Sequence, residues 1–347
     1  MELVRIGIIG LPQSGKTSFF RAVTGVEADP GVREVHLGVV HVPDRRVEAI
    51  ADLSGSPRRT PPEIEFVDMI AMSSDGKAQS DDFVKRIHDA DAFAIVVGGM
   101  IVDLRSLLRD LDTVVSELIV SDHAQVDART DRVKREVSRG RKEAASELPK
   151  LGVLRRVLDE GRQLRLCEEA RTILPSFAGF GFLTAHPALA VFNRPQSLAG
   201  QVDAACLSRA AELEMAGLCV DAALERDLLE LDPDERELFM EVEELDALAG
   251  PRVIAAAFDL LELVTFYTTG DKETRAVPVP RGTTAYEAAG KIHTDMQRGF
   301  VRAEVVTFDA FVAGRGWAGA KTAGKFRLEG RDYVMQDGDV AHFRFTS

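Results

Sequence analysis

The run Gly10-Leu11-Pro12-Gln13-Ser14-Gly15-Lys16-Thr17 is a complete G-x-x-x-x-G-K-[ST] sequence. It constrains the fold more than any other stretch of the chain. The motif requires a strand before it and a helix after it. Val4-Arg5-Ile6-Gly7-Ile8-Ile9 reads as a buried strand, and Ser18-Phe19-Phe20-Arg21-Ala22-Val23 as the start of a helix. Glycines allow the backbone to wrap phosphates with its N–H groups turned inward, and the helix N-terminus adds positive potential. In that arrangement Gly10, Leu11, Pro12, Gln13, Ser14, Gly15 and Ser18 form the cradle. Lys16 reaches the β- and γ-phosphates, and the Thr17 hydroxyl binds Mg²⁺. The competing reading is a glycine-rich turn with no ligand; motif and context together favour the nucleotide.

Composition narrows the setting. The 347 residues are 45% hydrophobic, enough for a sizeable core in two or three domains. No apolar run approaches the ~20 residues of a membrane span, and no signal peptide is visible at the N-terminus. Cys167, Cys206 and Cys219 are scattered with no C-x-x-C pair. That pattern argues against a disulfide framework or a zinc site and suits a reducing, cytoplasmic location. The net charge of −13 disfavours general binding to naked nucleic acid. The charge is uneven: Val264–Ser347 carries 12 Lys+Arg against 10 Asp+Glu, and the remainder 31 against 46. A mildly basic C-terminal module could touch a phosphate backbone locally, or it could be a solvated surface of mixed charge.

Along residues 1–103, strand and helix signals alternate. Val39–Val42, Glu63–Asp68 and Ala92–Val97 read as strands and Arg45–Leu53 as a helix, which predicts a parallel α/β sheet. Leu104, Leu107, Leu108, Leu111, Val114, Val115, Leu118 and Ile119 then recur at helical spacing, followed by Leu148, Leu151, Leu154, Val157 and Leu158. Together these predict an inserted antiparallel helical hairpin with Gly140 near its turn. Its apolar stripe either holds the two helices together or faces a partner, and the first reading is preferred for most of it. Sheet signals return at Ala188–Phe192 and Leu218–Val220. A helical, acidic stretch covers Pro233 to about Leu248, and a small β-rich module follows from Val264.

A nucleotide hydrolase needs a carboxylate near Mg²⁺, and Asp68 is delivered there by an apolar strand. Lys16 and Asp68 are therefore the candidate catalytic residues, and Thr17 and Asp68 the metal ligands. Most GTPases place a glycine three residues after this Asp; here that position is Ala71, within Asp68-Met69-Ile70-Ala71-Met72. No catalytic Gln is present, and no switch threonine is evident between Gly25 and Val40. Base selection in such proteins uses N-K-x-D after a strand. Here Asn193-Arg194-Pro195-Gln196 follows Val191-Phe192, with Gln196 in place of the acidic acceptor. Strong guanine selection is not expected, and Asn193 as an ordinary turn residue is the alternative.

These residues, in this order, resemble the YchF/Obg-like ATPase family of translation-factor-class P-loop proteins. Phe182–Asn193 is similar to its approach to the base-reading motif. Thr265–Ala276, Ala289–Asp295, Gly299–Glu304, Tyr333–Val340 and His342–Phe345 are similar to its C-terminal TGS-type domain. The resemblance implies a G-domain-like P-loop NTPase with a parallel sheet, an inserted helical hairpin and a β-rich, ubiquitin-like TGS-type domain. It implies ATP or GTP as ligand, Mg²⁺ as cofactor, and the ribosome or ribosomal RNA as partner through the TGS-type domain and hairpin, with no membrane role. The family carries N-x-x-E where this chain has Asn193 to Gln196, tends to prefer ATP over GTP, lacks the usual catalytic Gln and hydrolyses slowly. The Gly/Lys-rich stretch after its D-x-x-G is shortened here to Ser73–Gly76. The expected partition is 1–103 plus 187–263 for the nucleotide-binding domain, 104–172 for the hairpin with 173–186 as its return, and 264–347 for the TGS-type domain. His293-Thr294-Asp295 is read as a structural or partner-contact element, since a lone His is usually a hydrogen-bonded structural residue. Three functions fit: a nucleotide-dependent binding protein of translation, a slow ATPase or GTPase, and a scaffold with a vestigial nucleotide site.

Overall fold

The computed structural model describes residues 3–27, 36–68, 89–99, 103–243, 245 and 247–346. Met69–Gly76, which carry the Ala71 and shortened-loop expectations, lie outside the described residues, as does most of the segment searched for a switch threonine. In chain order the elements begin β1 (Val4–Ile9), α1 (Lys16–Thr24), β2 (His36–His41), α2 (Arg45–Ser54), β3 (Arg58–Thr60), β4 (Glu63–Asp68) and β5 (Ala92–Gly98). There follow α3 (Leu104–Ser138), α4 (Glu147–Asp159), α5 (Glu168–Ile173), β6 (Ala188–Asn193), α6 (Asp203–Glu212), β7 (Ala216–Val220), α7 (Ala222–Glu230), α8 (Pro233–Val242) and α9 (Ala249–Leu260). The C-terminal part holds β8 (Leu263–Thr269), β9 (Glu273–Pro280), α10 (Ala285–Ile292), α11 (Thr294–Arg298), β10 (Phe300–Thr307), α12 (Phe308–Ala313), α13 (Trp317–Thr322), β11 (Arg327–Glu329) and β12 (Asp339–Phe345).

The first sheet has the order β2-β4-β1-β5-β6-β7. β1 pairs with β5, β5 with β6 and β6 with β7, all parallel. Parallel strands are covered on both faces and so read as unbroken apolar runs. Ala92–Val97 of β5 and Ala188–Asn193 of β6 are buried throughout. The second sheet has the order β11-β10-β12-β8-β9-β3. Its core is Val264, Phe266, Val277, Val279, Val305 and Phe343 with the small residues of α10. The C-terminal part is therefore the β-rich unit its sequence predicts, with four short helices beside its strands.

Contacts divide the chain into two units. One takes the described residues of Arg5–Gly38 and Phe66–Val253; the other takes those of Met1–Val4, Val39–Glu65 and Ile254–Ser347. The expected partition assigned residues 39–65 to the nucleotide-binding domain. The contacts group them with the C-terminal strands instead, because β3 pairs in register with β9, Arg58 opposite Glu273 and Thr60 opposite Arg275.

The hairpin is asymmetric. Its first helix, α3, runs 35 residues from an Asp103–Ser106 capping box, while α4 has only 13. Gly140, at φ +95°, turns the chain between them. The apolar stripe of α3 splits in two. Leu107, Leu111, Val114, Val115 and Leu118 pack into the core of the first sheet, whereas Val126 and Val133 pack with Leu151, Leu154, Val157 and Leu158 of α4. Only the distal part of 104–172 is thus a hairpin in the packing sense. Asp122 sits at the join with no solvent exposure. It accepts the N–H groups of Leu183 and Thr184, each at 2.8 Å, and the Thr184 hydroxyl at 2.6 Å. Burial pushes its carboxyl up to about 6 despite those three bonds.

Candidate nucleotide-binding site

The loop between β1 and α1 takes the shape its residues demand. Gly10 has φ +154°, and a Cβ there would collide with the Val96 carbonyl oxygen of β5. Gly15 has φ +85°, and a Cβ there would collide with the side-chain nitrogen of Asn193. Both positions therefore require glycine on two counts, backbone conformation and space. Gln13 also adopts positive φ. Leu11 and Pro12 carry the loop between the two glycines, and Ser14 donates its N–H to the Leu11 carbonyl at 3.3 Å. The Ser14 hydroxyl is buried and has no hydrogen-bond partner.

Lys16 is almost fully buried. Its Nζ donates to the carbonyls of Leu11 (2.8 Å) and Gly10 (3.2 Å), so the ammonium is folded over the loop's own backbone. Burial lowers its pKa, and the nearby Asp68 carboxylate opposes that shift. Thr17 donates its hydroxyl to Asp68 Oδ2 at 2.9 Å. Asp68 lies at the end of β4, as the apolar strand predicts. Burial raises its pKa, against the lowering pull of Thr17, Lys16 and His36. His36, the first residue of β2, holds its Nδ1 3.7 Å from Asp68 Oδ2.

Asn193 ends β6 and reaches back across the loop. Its side-chain nitrogen donates to the Ser14 carbonyl at 3.0 Å, and its oxygen accepts the Ala222 N–H at 3.1 Å. Arg194 forms a bidentate pair with Asp203 at 2.8 and 2.7 Å and donates to Gln196 Oε1 at 3.1 Å. Gln196 donates its backbone N–H to Asp221 Oδ2 at 2.8 Å and its side-chain nitrogen to the Glu243 carbonyl at 3.2 Å. Asp221 uses its other oxygen to cap α7 at the Leu224 N–H, 3.0 Å.

A cavity of about 580 Å³ opens over the loop, lined by Gln13, Gly15, Lys16, Thr17 and Ser18 of the loop and by Gly99, Asn193, Arg194, Pro195, Asp221 and Ala223. A second cavity of about 320 Å³ lies beside it and is lined by Arg194, Gln196, Asp203, Cys219, Glu225 and Arg252, among others. The structure therefore brings together the loop, Asp68 and Asn193, but it turns Gln196 into the neighbouring cavity. His293 has a structural role, in line with its reading as a hydrogen-bonded structural residue: it caps α11, its Nδ1 accepting the Asp295 N–H at 3.1 Å.

Three features escaped the sequence reading. Gly98 and Gly99 end β5 beside the loop; the Gly99 N–H donates to the Asn193 carbonyl at 3.0 Å, and a Cβ on Gly99 would lie 2.8 Å from the Gln13 carbonyl. A glycine doublet directly after a buried strand was the available signal. Asp221-Ala222 after β7 was signalled by a helix-capping residue following a strand. His36 gave no local signal.

The donor set suits a magnesium–triphosphate ligand in part. Ser14 offers an orphaned hydroxyl, and Lys16 offers donors now spent on carbonyls. Thr17 and Asp68 offer two hard oxygens, the type Mg²⁺ prefers, with waters and phosphate oxygens completing its octahedron. Among the described residues no group of three or more His, Cys, Asp or Glu side chains is placed to hold a metal alone.

The YchF-GTPase_C family model, described as a protein of unknown function (DUF933), matches residues 263–346. The chain is 36% identical to the ribosome-binding ATPase YchF of Pasteurella multocida, over 99% of both chains. It is 33% identical to the protein of that name from Bacillus subtilis, over 98% of both. The solved structure of the Schizosaccharomyces pombe YchF GTPase superposes with a TM-score of 0.80 at 22% identity, covering 99% of this chain and 98% of that one. A GTP-binding protein from Pyrococcus horikoshii gives 0.63 at 17% identity, over 99% and 100%.

Proposed function

Because the chain belongs to the YchF family, we propose that it binds the triphosphate of ATP or GTP with Mg²⁺ at the Gly10–Thr17 loop and associates with the ribosome. The observation that carries the nucleotide part is the convergence of Lys16, the Thr17–Asp68 pair and Asn193 on one loop. Ligand entry exchanges the Lys16 bonds to the Gly10 and Leu11 carbonyls for bonds to the β- and γ-phosphates. Thr17 and Asp68 hold the metal, which when bound neutralises charge on the phosphate oxygens. Asn193 fixes the loop by gripping Ser14. The ribosome is carried over from the relatives' printed name; the uneven charge supports the mildly basic C-terminal segment as a contacting part, and the hairpin is carried over with the family resemblance.

Hydrolysis is slow in this reading. Lys16 and Asp68 supply positioning and charge, which dominate phosphoryl transfer. The sequence after Asp68 lacks the γ-phosphate glycine and a water-holding polar residue. No described helix is long and apolar enough to cross a membrane. The test is calorimetric titration with ATP and GTP, with and without Mg²⁺, beside cosedimentation with ribosomes. Magnesium-dependent binding and pelleting with ribosomes are expected; no binding of either nucleotide would overturn the nucleotide part, and no pelleting the ribosomal part.

A further inference from the structure

We infer that α8 (Pro233–Val242) is a protein-docking helix whose occupant is a cationic protein segment with apolar side chains of its own. The inference rests on the ribosomal part of the proposed function and deepens it: this face meets ribosomal protein, not ribosomal RNA. The helix is inverted. Arg236 and Met240, with Glu243 just beyond the helix, are half-buried at helical spacing and mark its inward side. Arg236 donates to the carbonyls of Leu228, Leu229 and Leu231 at the end of α7, at 2.9, 3.3 and 2.9 Å. Leu238, Phe239 and Val242 lie on the other side and are 63%, 40% and 70% exposed. No residue of the helix is buried. A helix that only supports a fold turns its apolar residues inward. Single exposed apolar residues are ordinary, and clusters mark interaction surfaces. Among the described residues, three large exposed ones share a helix only here.

Charge identifies the occupant. Asp232–Glu243 holds six carboxylates and one cation, and that cation, Arg236, is spent on α7. Asp234, Glu235, Glu237 and Glu241 are exposed beside the apolar residues. Helix capping explains only part of this. Asp232 accepts the N–H groups of Asp234 and Glu235, each at 3.0 Å, and acid in the first turn suits the helix dipole. Glu241 and Glu243 stand at the opposite end, where the dipole disfavours them, and the last turn carries no basic residue. Carboxylates around an apolar stripe attract a cationic surface and repel phosphate. A second copy brings the same carboxylates, so α8 against α8 sets like charges opposite. A protein that packs on RNA needs excess cations to neutralise phosphates, and a ribosomal protein therefore has the complementary charge. Leu238 and Val242, four residues apart, with Phe239 between them, supply the spacing of a helix laid into an apolar groove.

The experiment is quantitative cosedimentation of the full chain with purified ribosomes, unaltered and carrying Leu238→Gln with Val242→Gln. Those changes remove the apolar anchors, keep good helix formers and leave the net charge at −13. A loss of tenfold or more in ribosome affinity, at an unchanged urea midpoint, is expected. A smaller loss overturns the inference and leaves the ribosomal reading standing. A lowered urea midpoint also overturns it, since the two side chains would then be packed within the fold. Failure of the unaltered chain to pellet overturns the ribosomal reading and the inference with it. Glu237→Lys with Glu241→Lys reads the sign of the partner: weaker binding is expected, and stronger binding would mean an anionic partner and contradict the inference. Protein-free ribosomal RNA is the second probe. Retention of the unaltered chain on that RNA, abolished by the glutamine pair, would assign the face to RNA. A dimer of the unaltered chain, seen by sedimentation velocity and lost in the same variant, would assign it to a second copy. Either result overturns the inference.

Discussion

The two ends of the cleft are built on opposite plans. At the phosphate end, polar atoms are held in provisional partnerships. Lys16 sits on its own loop's carbonyls, the Ser14 hydroxyl has no partner, and Thr17 leans on a carboxylate that burial makes easier to protonate. At the base end the Arg194–Asp203–Gln196–Asp221 network is closed, each member satisfied by the others or by backbone. A buried polar group without a partner is costly, whereas a closed network rigidifies. The first end is therefore arranged to gain from a ligand, and the second to support the fold. Changes at the phosphate end should move affinity, and changes in closed networks should move stability.

The largest effect expected on stability is at Arg194. Removing it leaves Asp203 without its bidentate partner, so Arg194→Ala should lower unfolding free energy by about 3 kcal/mol, the order for breaking a largely buried ion pair. Urea denaturation measures this. A loss near zero would mean that the base-end network is not closed as described.

Asp122 is a second closed network, away from the cleft, and it sharpens the comparison through pH. Its carboxyl is raised to about 6 in the folded chain, above its unfolded value, so the folded state binds the proton more tightly. Its contribution is fully present below the unfolded pKa and is lost as pH rises through about 6. Between pH 4.5 and 7.5 that loss is about 2 kcal/mol at ~1.4 kcal/mol per unit. Asp122→Asn cannot titrate, so the stability gap between wild type and variant should close by that amount across the range. A gap that widens with pH would contradict the assignment.

Gly15→Ala tests the glycine that lets Asn193 grip the loop. Positive φ alone costs ~1–2 kcal/mol for a residue with a Cβ, and the added methyl also meets the Asn193 side chain. Affinity should fall about tenfold or more, and part of the fall should disappear when Gly15→Ala is made in an Asn193→Ala background. Equal penalties in both backgrounds would separate the two residues.

The smallest effect concerns the metal. Thr17→Ala removes one of the two hard oxygens, so the increase in ATP affinity on adding Mg²⁺ should shrink by about tenfold, ~1.4 kcal/mol. Calorimetry with and without Mg²⁺ reads it directly, and an unchanged magnesium effect would contradict the metal-binding role proposed for Thr17.

What could be read from the sequence follows the same divide. The phosphate loop is eight contiguous residues whose types are dictated locally, by positive φ at Gly15 and by the reach of Lys16. Asp68 and Asn193 were visible because apolar strands end on them. The base-end network was not visible, because Arg194 finds Asp203 and Gln196 finds Glu243 through tertiary packing that no local pattern encodes. The same holds for β3, whose three residues pair with β9 more than two hundred positions away. It holds too for the split stripe of α3, where one helical period serves two different cores.

The most direct test sets the two ends side by side: ATP affinity in Mg²⁺ for the unaltered chain, Lys16→Ala and Arg194→Ala, each confirmed folded. The expected result is a loss beyond a hundredfold for Lys16→Ala, on the order of several kcal/mol for a truncated charge partner, and less than tenfold for Arg194→Ala. The reverse ranking, with Arg194 controlling affinity and Lys16 nearly silent, would contradict the account.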